Sequence, residues 1–343
     1  MYSDLPADQL AAYTSSQTRP ADFSSFWADT LAEAQGHPLN LVVTAEPTVL
    51  ETVDVYDVTF AGWNGEPVRA WLRVPAGATE PLPCVVEYVG YGGGRGEPHE
   101  NLLLAGSGFA HLHMDTRGQG ATWSKGATAD GAGSGGPQVP GVMTRGILDP
   151  QTYYYRRLFT DAVRAVQAAR ELAWVDAGRV AVTGISQGGA IALAAAGLCP
   201  DLRGVVARVP FLSDFPRALQ ITDAYPYREI RDFLAVHRTE AGRAQQTLRY
   251  FDGVNFAAQA TAPAMFTAGL MDATTPPSTV YAAYNAYAGP KQITAWPFNG
   301  HEGGGAEDDI AAVRFLREMT APDRASAGAG AAAAPASEPV AAG

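Results

Sequence analysis

The stretch RVAVTGISQGGAIALAAAGL, residues 179–198, decides the fold. Its first part, Arg179–Thr183, is a short apolar run typical of a buried strand, and Ala190–Leu198 is an apolar run typical of a buried helix. Between them, Gly184–Gly188 has the pattern Gly-x-Ser-x-Gly, whose glycines permit a sharp turn with a strained backbone. The sequence therefore predicts a strand–turn–helix unit with Ser186 at its apex, where a helix N-terminus favours developing negative charge. The alternative is a plain glycine-rich turn, since the bare pattern is common.

Apolar runs alternate with helical patterns on both sides of this unit. The strand-like runs are Pro83–Val89, Phe109–Met114, Val180–Thr183, Val205–Val209, Ala264–Leu270 and Gln292–Phe298. The helical stretches are Leu158–Leu172, Ala190–Leu198, Thr279–Ala288 and Asp308–Met319. Such alternation predicts an α/β fold, with a mostly parallel central sheet covered by helices on both faces. Upstream, Thr52–Phe60 and Arg69–Val74 read as antiparallel strands.

An N-terminal extension precedes these strands. In it Phe23, Phe26, Trp27 and Leu31 fall on one face at helical spacing, after Asp22 as a candidate cap. This pattern predicts one amphipathic helix that packs on the rest of the fold.

Two insertions and a tail complete the chain. Residues 121–151, the first insertion, are rich in Gly and Pro, and residues 211–256, the second insertion, carry aromatic and charged side chains. Long insertions in such a sheet usually shape the site or an oligomer interface. From Ala321 to Gly343, 19 of 23 residues are Ala, Gly, Pro or Ser, which predicts disorder rather than an Ala-rich helix. We therefore expect one domain over residues 1–320 and a disordered tail over 321–343.

Composition narrows the class of protein. The chain has 343 residues, 47% of them hydrophobic, and a net charge of −11, which argues against nucleic acid or an anionic membrane surface as partner. Its two cysteines, Cys84 and Cys199, lie in apolar stretches and are expected to be buried thiols, not a disulfide framework or zinc site. Residues 1–10 carry two Asp and no apolar core, and no apolar run nears the ~20 residues of a membrane span. The default expectation is a soluble cytoplasmic protein.

A serine nucleophile needs a base and an acid, and the order expected on this fold is Ser, acid, His. Only His301 follows a plausible acid, on a Gly-rich loop just past the last strand-like run. Asp272 follows the penultimate run within two residues, where a carboxylate would fix the imidazole tautomer. Its rivals are Asp252, which precedes that strand, and Glu302, which adjoins the base too closely to turn onto it. The predicted catalytic residues are therefore Ser186, Asp272 and His301, the alternative for His301 being a surface loop histidine.

An acyl-transfer site also needs an oxyanion hole. One donor should be the backbone N–H of Gln187, directly after the nucleophile. The second should come from the loop Gly90-Tyr91-Gly92-Gly93-Gly94-Arg95-Gly96, whose glycines let the backbone approach a ligand. Tyr91 is the predicted donor, with its ring lining the acyl pocket, unless the loop is only a flexible turn.

Three further patterns allow more than one interpretation. His111 and His113 share one strand face like a metal pair, but no other ligands converge, which favours core or interface histidines and no metal site. Arg117 could bind an anion or, as we expect, hold its loop near the site. The aromatic residues could stack on sugar rings, pack the insertions or form a subunit interface; they are Tyr153, Tyr154, Tyr155, Trp123, Trp296, Tyr225 and Tyr227.

The motifs together resemble one known family. They are Arg117-Gly118-Gln119-Gly120, Gly184–Gly188, the acid loop before Pro276-Pro277, and Gly300-His301-Glu302. This set resembles the acetyl xylan esterase/cephalosporin C deacetylase family, carbohydrate esterase family seven, of the α/β-hydrolases. The likeness runs from the N-terminus to the last helix near Met319.

The resemblance implies both an activity and an assembly. It implies removal of acetyl groups from small substrates such as xylo-oligosaccharides and cephalosporin C by a cytoplasmic homohexamer, without a cofactor. Motif positions match Ser186, Asp272 and His301 to the triad, and Tyr91 and Gln187 to the oxyanion donors. Two departures are visible: Val89 replaces a His found in many members, and Thr274 replaces bulkier residues of some relatives.

The predicted function is thus a serine esterase that deacetylates small substrates through an acetyl-enzyme. Another hydrolase reading is a carboxylesterase or lactonase acting on non-carbohydrate acyl compounds. A reading from another class is a non-catalytic α/β-hydrolase that serves as a binding module, although such proteins usually lose a triad member. A substrate panel separates the first two, and covalent labelling of Ser186 tests the third.

Overall fold

A computed structural model of the chain describes residues 4–131 and 136–322. These residues form one nine-stranded sheet with helices against it. The strands are β1 (Val42–Ala45), β2 (Val53–Ala61), β3 (Pro67–Pro75), β4 (Leu82–Tyr88), β5 (Ala110–Met114), β6 (Val175–Ile185), β7 (Val205–Arg208), β8 (Ala264–Gly269) and β9 (Lys291–Trp296). The predicted α/β-hydrolase fold with a mostly parallel sheet is confirmed.

The strand order is β1-β2-β3-β5-β4-β6-β7-β8-β9. The pairs β1/β2, β2/β3 and β3/β5 are antiparallel, and all the others are parallel. On β5, Leu112 lies opposite Leu72 of β3 and Val86 of β4, and Val86 also lies opposite Val182 of β6. All four side chains are fully buried, which places the core at the centre of the sheet. Near-continuous apolar runs are what a parallel strand buried on both faces requires.

Eleven α-helices lie among the described residues. They are α1 (Ala7–Leu10), α2 (Phe23–Gln35), α3 (Leu103–Gly106), α4 (Tyr154–Glu171), α5 (Gln187–Leu198), α6 (Phe215–Ile221), α7 (Tyr227–Val236), α8 (Ala241–Leu248), α9 (Gly253–Ala257), α10 (Pro277–Ala286) and α11 (Ala306–Met319). The four helices predicted in the alternating region correspond to α4, α5, α10 and α11. Helix α5 is apolar all round and almost wholly buried, as expected of a helix that supports the nucleophile.

The predicted N-terminal helix is α2. Its Phe23, Phe26 and Trp27 are buried, and Trp27 stacks edge-on against Phe256 of the second insertion with ring centroids 5.4 Å apart. Asp22 does not cap the helix: its side chain accepts no bond from the helix start. The carboxylate instead accepts a hydrogen bond from the Tyr250 hydroxyl at 2.6 Å, so it ties α2 to the second insertion.

The two insertions differ in structure. The described part of the first insertion contains neither helix nor strand beyond an isolated bridge between Ala121 and Lys125. The second insertion contains α6 to α9. Both lie after strands that end at the same edge of the sheet, β5 and β7. The predicted disorder of the tail falls on residues 323–343, which lie outside the described residues.

Both cysteines are free and buried, as predicted. Burial raises the pKa of each thiol, of Cys84 and of Cys199, to about 12. Such thiols stay protonated and unreactive at neutral pH. Within the described ranges, none of the helices has the length and apolarity needed to cross a bilayer.

Candidate active site

Ser186 lies at the turn between β6 and α5. Its φ of 59° is the strained left-handed conformation expected at this turn. The backbone is held there by two hydrogen bonds, from Ser186 N–H to the Arg208 carbonyl at 2.9 Å and from Phe211 N–H to the Ser186 carbonyl at 3.0 Å. A Cβ on Gly184 would come within 2.2 Å of the Gly188 carbonyl carbon, and one on Gly188 within 2.1 Å of the Tyr88 oxygen. Both glycines of the motif are therefore required by packing as well as by the turn.

The three predicted catalytic residues come together in one hydrogen-bonded chain. The Ser186 hydroxyl lies 2.9 Å from His301 Nε2, and His301 Nδ1 lies 2.8 Å from Asp272 Oδ2. Each residue follows the carboxyl end of a parallel strand: β6, β8 or β9. Ligand sites in open α/β sheets form at this edge. Ser186 is 8% exposed and the His301 side chain 35%, so the hydroxyl and the imidazole border open space while Asp272 is fully buried.

Asp272 is fixed by its own loop. Its Oδ1 accepts hydrogen bonds from the backbone N–H groups of Thr274 (2.7 Å) and Thr275 (2.9 Å), and its Oδ2 accepts from the Thr275 hydroxyl (2.6 Å) as well as from His301. These donors satisfy a buried charge that would otherwise be costly. They also leave the carboxylate one orientation, facing the imidazole.

Neither rival acid reaches His301. The carboxylate of Glu302 accepts from Gly300 N–H and from the Asn299 amide, so it folds back on its own loop. Asp252 accepts from the backbone N–H groups of Asp214 and Phe215 at 2.9 and 3.0 Å and caps α9 through Val254 N–H. Asp252 is therefore a structural carboxylate within the second insertion.

The two predicted oxyanion donors lie on segments that are tied together by buried amides. Gln187 opens α5, and its side-chain Nε2 donates to the Val89 carbonyl at 3.2 Å. Gln119 donates from Nε2 to Gln187 Oε1 at 3.0 Å and accepts at Oε1 from Gly92 N–H at 2.7 Å. The two glutamine side chains thus bond to the backbone at Val89 and at Gly92, on either side of Tyr91. Together these bonds hold the Tyr91 backbone beside the start of α5. Val89 contributes its carbonyl oxygen to this network.

The Tyr91 side chain joins both insertions. Its hydroxyl donates to Glu229 Oε1 of α7 at 2.7 Å and accepts from the N–H groups of Gly141 (3.2 Å) and Val142 (3.1 Å). Glu229 Oε2 also accepts from Met143 N–H at 3.2 Å. Burial, together with the neighbouring Glu229 carboxylate, raises the pKa of Tyr91, and burial raises the pKa of Glu229. The phenol therefore stays protonated as a donor, and we call this arrangement the Tyr91–Glu229 clamp.

A cavity of about 900 Å³ opens on the nucleophile. Ser186, His301, Tyr91, Trp123 and Thr274 all border it. Its volume is within the range of small-molecule sites. The cavity is large enough for an ester whose alcohol is much bigger than an acetyl group.

His111 and His113 are buried in the core, the location that the sequence favours for them. Both rings are buried and stack at 5.6 Å, and His111 Nε2 lies 2.8 Å from Glu87 Oε2. Burial lowers the pKa of both, that of His113 to about 3. Within residues 4–131 and 136–322, no group of three His, Cys, Asp or Glu side chains is placed to hold a metal ion.

Arg117 holds its loop, as expected. The side chain is fully buried, donates to both carboxylate oxygens of Asp161 at 2.5 and 2.9 Å, and bonds to Glu66 at 2.6 Å. All three guanidinium nitrogens bond to carboxylates and Arg117 does not line the cavity, which favours the loop-holding role over anion binding there. Arg117 fixes the backbone that places the neighbouring Gln119.

The run Tyr153–Tyr155 packs the interior. All three side chains are fully buried, so neither sugar stacking nor a subunit interface applies to them. Tyr153 donates to the Met143 carbonyl at 3.0 Å and Tyr155 to Gln187 Oε1 at 2.9 Å. The run therefore secures the first insertion and the start of α5. Trp123 and Tyr225, in contrast, are 62% and 58% exposed and border the cavity.

Sequence reasoning assigned no role to three residues that complete the site, Thr275, Gln119 and Glu229. Gln119 lay within the Arg117–Gly120 motif, which was the one available signal for it. Thr275 and Glu229 are ordinary polar residues in sequence, and only the fold brings them to Asp272 and Tyr91.

Fold and site together define an α/β-hydrolase with a hydrogen-bonded Ser–His–Asp arrangement at the carboxyl edge of its sheet. Residues 1–319 match the acetyl xylan esterase (AXE1) family. The chain belongs to that family, which confirms the resemblance seen in the sequence.

Solved structures of two esterases are similar along nearly their whole length. An acetyl xylan esterase from Paenibacillus sp. R4 is 39% identical with a TM-score of 0.85, covering 92% of this chain and 99% of that one. Acetyl xylan esterase 1 from Thermoanaerobacterium sp. JW/SL YS485 is 31% identical with a TM-score of 0.83, covering 93% and 100%. An acylaminoacyl peptidase of Pyrococcus horikoshii, 13% identical with a TM-score of 0.57 over 79% of this chain and 41% of that one, shares the fold alone.

A curated relative is similar over part of its length. The acetyl esterase Axe7A of Xylanibacter ruminicola is 28% identical over 286 residues, which is 82% of this chain. The match spans 63% of that protein.

Proposed function

We propose that the protein is a serine esterase that hydrolyses acetyl esters through an acetyl-enzyme. The observation that carries this proposal is the chain of hydrogen bonds from Ser186 through His301 to Asp272, at 2.9 and 2.8 Å. A nucleophile, a base and an orienting acid in this order are what acyl transfer from an ester requires. Membership of the acetyl xylan esterase family supports the choice of acetyl as the acyl group.

In the first half of the reaction, His301 Nε2 takes the Ser186 proton while the hydroxyl oxygen attacks the acetyl carbonyl carbon. The negative charge that develops on the carbonyl oxygen is held by the backbone N–H groups of Gln187 and Tyr91. Collapse breaks the bond to the alcohol oxygen, which leaves with the proton returned by His301. Asp272 stabilises the imidazolium between these transfers.

In the second half, water replaces the alcohol. His301 takes a proton from water, whose oxygen attacks the acetyl-enzyme, and acetate leaves as Ser186 regains its proton. The exposed fraction of His301 supports this step, because the imidazole borders the cavity through which water arrives.

We infer that the natural substrates are small acetylated molecules, with acetylated xylo-oligosaccharides first and cephalosporin C second. The names of the two similar solved esterases support the first class. The volume of the cavity is consistent with a large alcohol group.

A cytoplasmic homohexamer is part of the same proposal. The low charged fraction of 17% favours a protein that hides part of its surface in an assembly, and free buried thiols suit a reducing compartment. Sedimentation of the full chain tests the hexamer.

The central test is Ser186→Ala. We expect it to lower hydrolysis of p-nitrophenyl acetate by about 10⁴-fold or more without unfolding the protein, since the side chain is small. Ser107→Ala, on a serine before β5 at the opposite edge of the sheet, is the matched control and should keep full activity. A fluorophosphonate should label the wild type and not Ser186→Ala. Unchanged activity in Ser186→Ala contradicts the proposal, and a wild type that neither labels nor hydrolyses any ester supports a non-catalytic binding module.

A substrate panel tests the remaining alternative. Acetate, butyrate and octanoate esters of one alcohol, a lactone, an acetylated xyloside and cephalosporin C should be compared by kcat/KM. Preference for acetates of sugars supports the proposal. Preference for a lactone or for long acyl chains on simple alcohols supports a carboxylesterase or lactonase on non-carbohydrate compounds.

A further inference from the structure

Trp123 is a large apolar side chain that is mostly exposed to solvent beside the catalytic cavity. The side chain comes from the first insertion, is 62% exposed and borders the catalytic cavity. A hydrogen bond holds the indole in place, since its Nε1–H donates to the Tyr91 carbonyl oxygen at 2.8 Å. A large apolar ring is thus held rigidly on the loop that carries a proposed oxyanion donor, with most of its surface open to water.

The orientation of the ring follows from Gly93. A Cβ on that glycine would lie 2.3, 2.6 and 2.7 Å from Cζ2, Cε2 and Cη2 of Trp123, three consecutive ring atoms at nearly equal distances. A point in the ring plane beyond Cζ2 would be much farther from the two flanking atoms than from Cζ2. The Cβ position of Gly93 therefore lies over the face of the indole at Cζ2, so the glycine packs against that face. Gly93 covers one face, and because the side chain is still 62% exposed and borders the cavity, the opposite face is available to a ligand.

The Trp123 indole, which we call the platform, lies close to the nucleophile. A Cβ on Gly90 would lie 3.4 Å from Trp123 Cζ2 and 3.6 Å from the carbonyl oxygen of Ile185, the residue before Ser186. The indole and the residue before the nucleophile thus lie on either side of Gly90, and Trp123 and Ser186 border the same cavity. A ring stacked on Trp123 can belong to an ester whose carbonyl is at Ser186.

We propose that the exposed face of Trp123 is a subsite that stacks the pyranose ring of the alcohol part of the substrate. A pyranose presents a flat face of C–H groups to the electron-rich face of an aromatic ring and leaves its hydroxyls at the rim. Polar side chains stand on the wall of the same cavity to meet such hydroxyls, among them Asn101 and Arg208. This inference rests on the proposed function and names the part of the substrate that the insertion recognises.

Trp123→Ala is the main test. The comparison is kcat/KM for an acetylated methyl β-xylopyranoside against kcat/KM for ethyl acetate, which has no ring. Loss of the platform should lower the ratio of the two about tenfold, within the range of aromatic stacking contributions. Trp123→Phe keeps an aromatic face and loses the bond to Tyr91, so it should preserve most of the ratio. Val236→Ala, on an exposed apolar residue of the second insertion that does not border the cavity, is the control and should leave the ratio unchanged.

Three outcomes overturn the subsite. Equal loss on both substrates in Trp123→Ala would mean that the indole acts only by holding the Tyr91 loop. A changed preference between acetate and butyrate esters of ethanol, with the sugar ratio unchanged, would place Trp123 on the acyl side. An unchanged ratio with unchanged acyl preference would mean that the exposed face binds nothing during turnover.

A binding measurement separates this inference from the proposed function. Methyl β-xylopyranoside should be titrated into Ser186→Ala by calorimetry, and into the same variant carrying Trp123→Ala. Binding lost on the second change supports the subsite even if no acetate ester is hydrolysed, in which case only the proposed function fails. Ester hydrolysis without any binding that depends on Trp123 leaves the esterase standing and refutes the subsite.

Discussion

Replacing Asp272 by asparagine probes how the site fixes the histidine tautomer. Asparagine has the shape of aspartate, and its Oδ1 can keep both backbone N–H bonds, from Thr274 and Thr275. The amide nitrogen then takes the place of Oδ2, 2.8 Å from His301 Nδ1. An amide N–H only donates, so Nδ1 must become the acceptor and the ring proton moves to Nε2. Nε2 then faces Ser186 with its proton and cannot accept another.

The expected cost falls on catalysis rather than on stability. In Ser–His–Asp sites the wrong tautomer lowers kcat by about 10⁴, which is about 5.5 kcal/mol of transition-state stabilisation. The fold loses far less, because the Thr275 hydroxyl can reverse its bond and accept from the new amide, so that no buried polar atom is stranded. The neutral side chain also leaves no unpaired buried charge. We therefore expect an inactive variant that melts within a few degrees of the wild type.

The assay is steady-state hydrolysis of p-nitrophenyl acetate together with thermal unfolding followed by circular dichroism. Glu302→Gln is the matched control, since the same acid-to-amide change is made one residue from His301 on a carboxylate that turns away from it. Glu302→Gln should stay within about threefold of wild type, well under 1 kcal/mol. A folded Asp272→Asn that keeps more than a tenth of wild-type kcat would refute the assignment of Asp272 as the group that orients the base.

Three other expectations follow from the same contacts. Thr275→Val removes one hydrogen bond to Asp272, and kcat should fall about three- to tenfold in the ester assay. An unchanged kcat would contradict a role for the hydroxyl. Tyr91→Phe opens the Tyr91–Glu229 clamp and should lower kcat/KM about tenfold, whereas Glu229→Gln keeps an acceptor and should cost only about twofold; equal losses would argue against the clamp. Burial raises the pKa of Asp252 to about 7, so the folded protein binds more protons than the unfolded chain between about pH 4 and 7, and the free energy of unfolding should fall as pH rises through that window, by up to about 4 kcal/mol. Urea unfolding at pH 5 and pH 8 measures this change in the free energy of unfolding, and the change should be smaller in Asp252→Asn. An equal change in the wild type and in Asp252→Asn would contradict the prediction.

The fold was predictable where a pattern is local and repeated. Apolar runs at regular intervals predict the parallel strands, which are buried on both faces, and apolar residues at helical spacing predict the large helices, which bury at least one face. Strand β1 was missed because Val42–Ala45 is a four-residue edge strand with mostly exposed side chains. Helices α6 to α9 were missed for another reason: they have five to ten residues each and are held by packing on neighbouring helices rather than by their own helix propensity.

The triad was predictable because chain order and sheet topology fix it together. Once Gly184–Gly188 is placed between a strand and a helix, the acid and the base must follow later strands at the same edge. The supporting network was not predictable in this way. Gln119 and Gln187 meet although 68 residues separate them, and Tyr91 and Glu229 although 138 do. Nothing local in a glutamine or glutamate indicates such a partner.

The division of labour between sheet and insertions explains which changes should affect rate and which should affect stability. The sheet positions Ser186 and Asp272 through buried strands, so changes to its core act first on folding. Besides the hydrogen bond from Phe211 N–H to the Ser186 carbonyl, the insertions contact the site through the loop of residues 90–96, which carries the proposed oxyanion donor. Trp123 covers Gly93 of this loop, and the Tyr91–Glu229 clamp joins residues 141–143 to α7. A change in either insertion can therefore shift the proposed oxyanion donor without disturbing the triad. Differences in substrate preference among proteins with this sheet should accordingly lie in the two insertions, while the triad geometry stays constant.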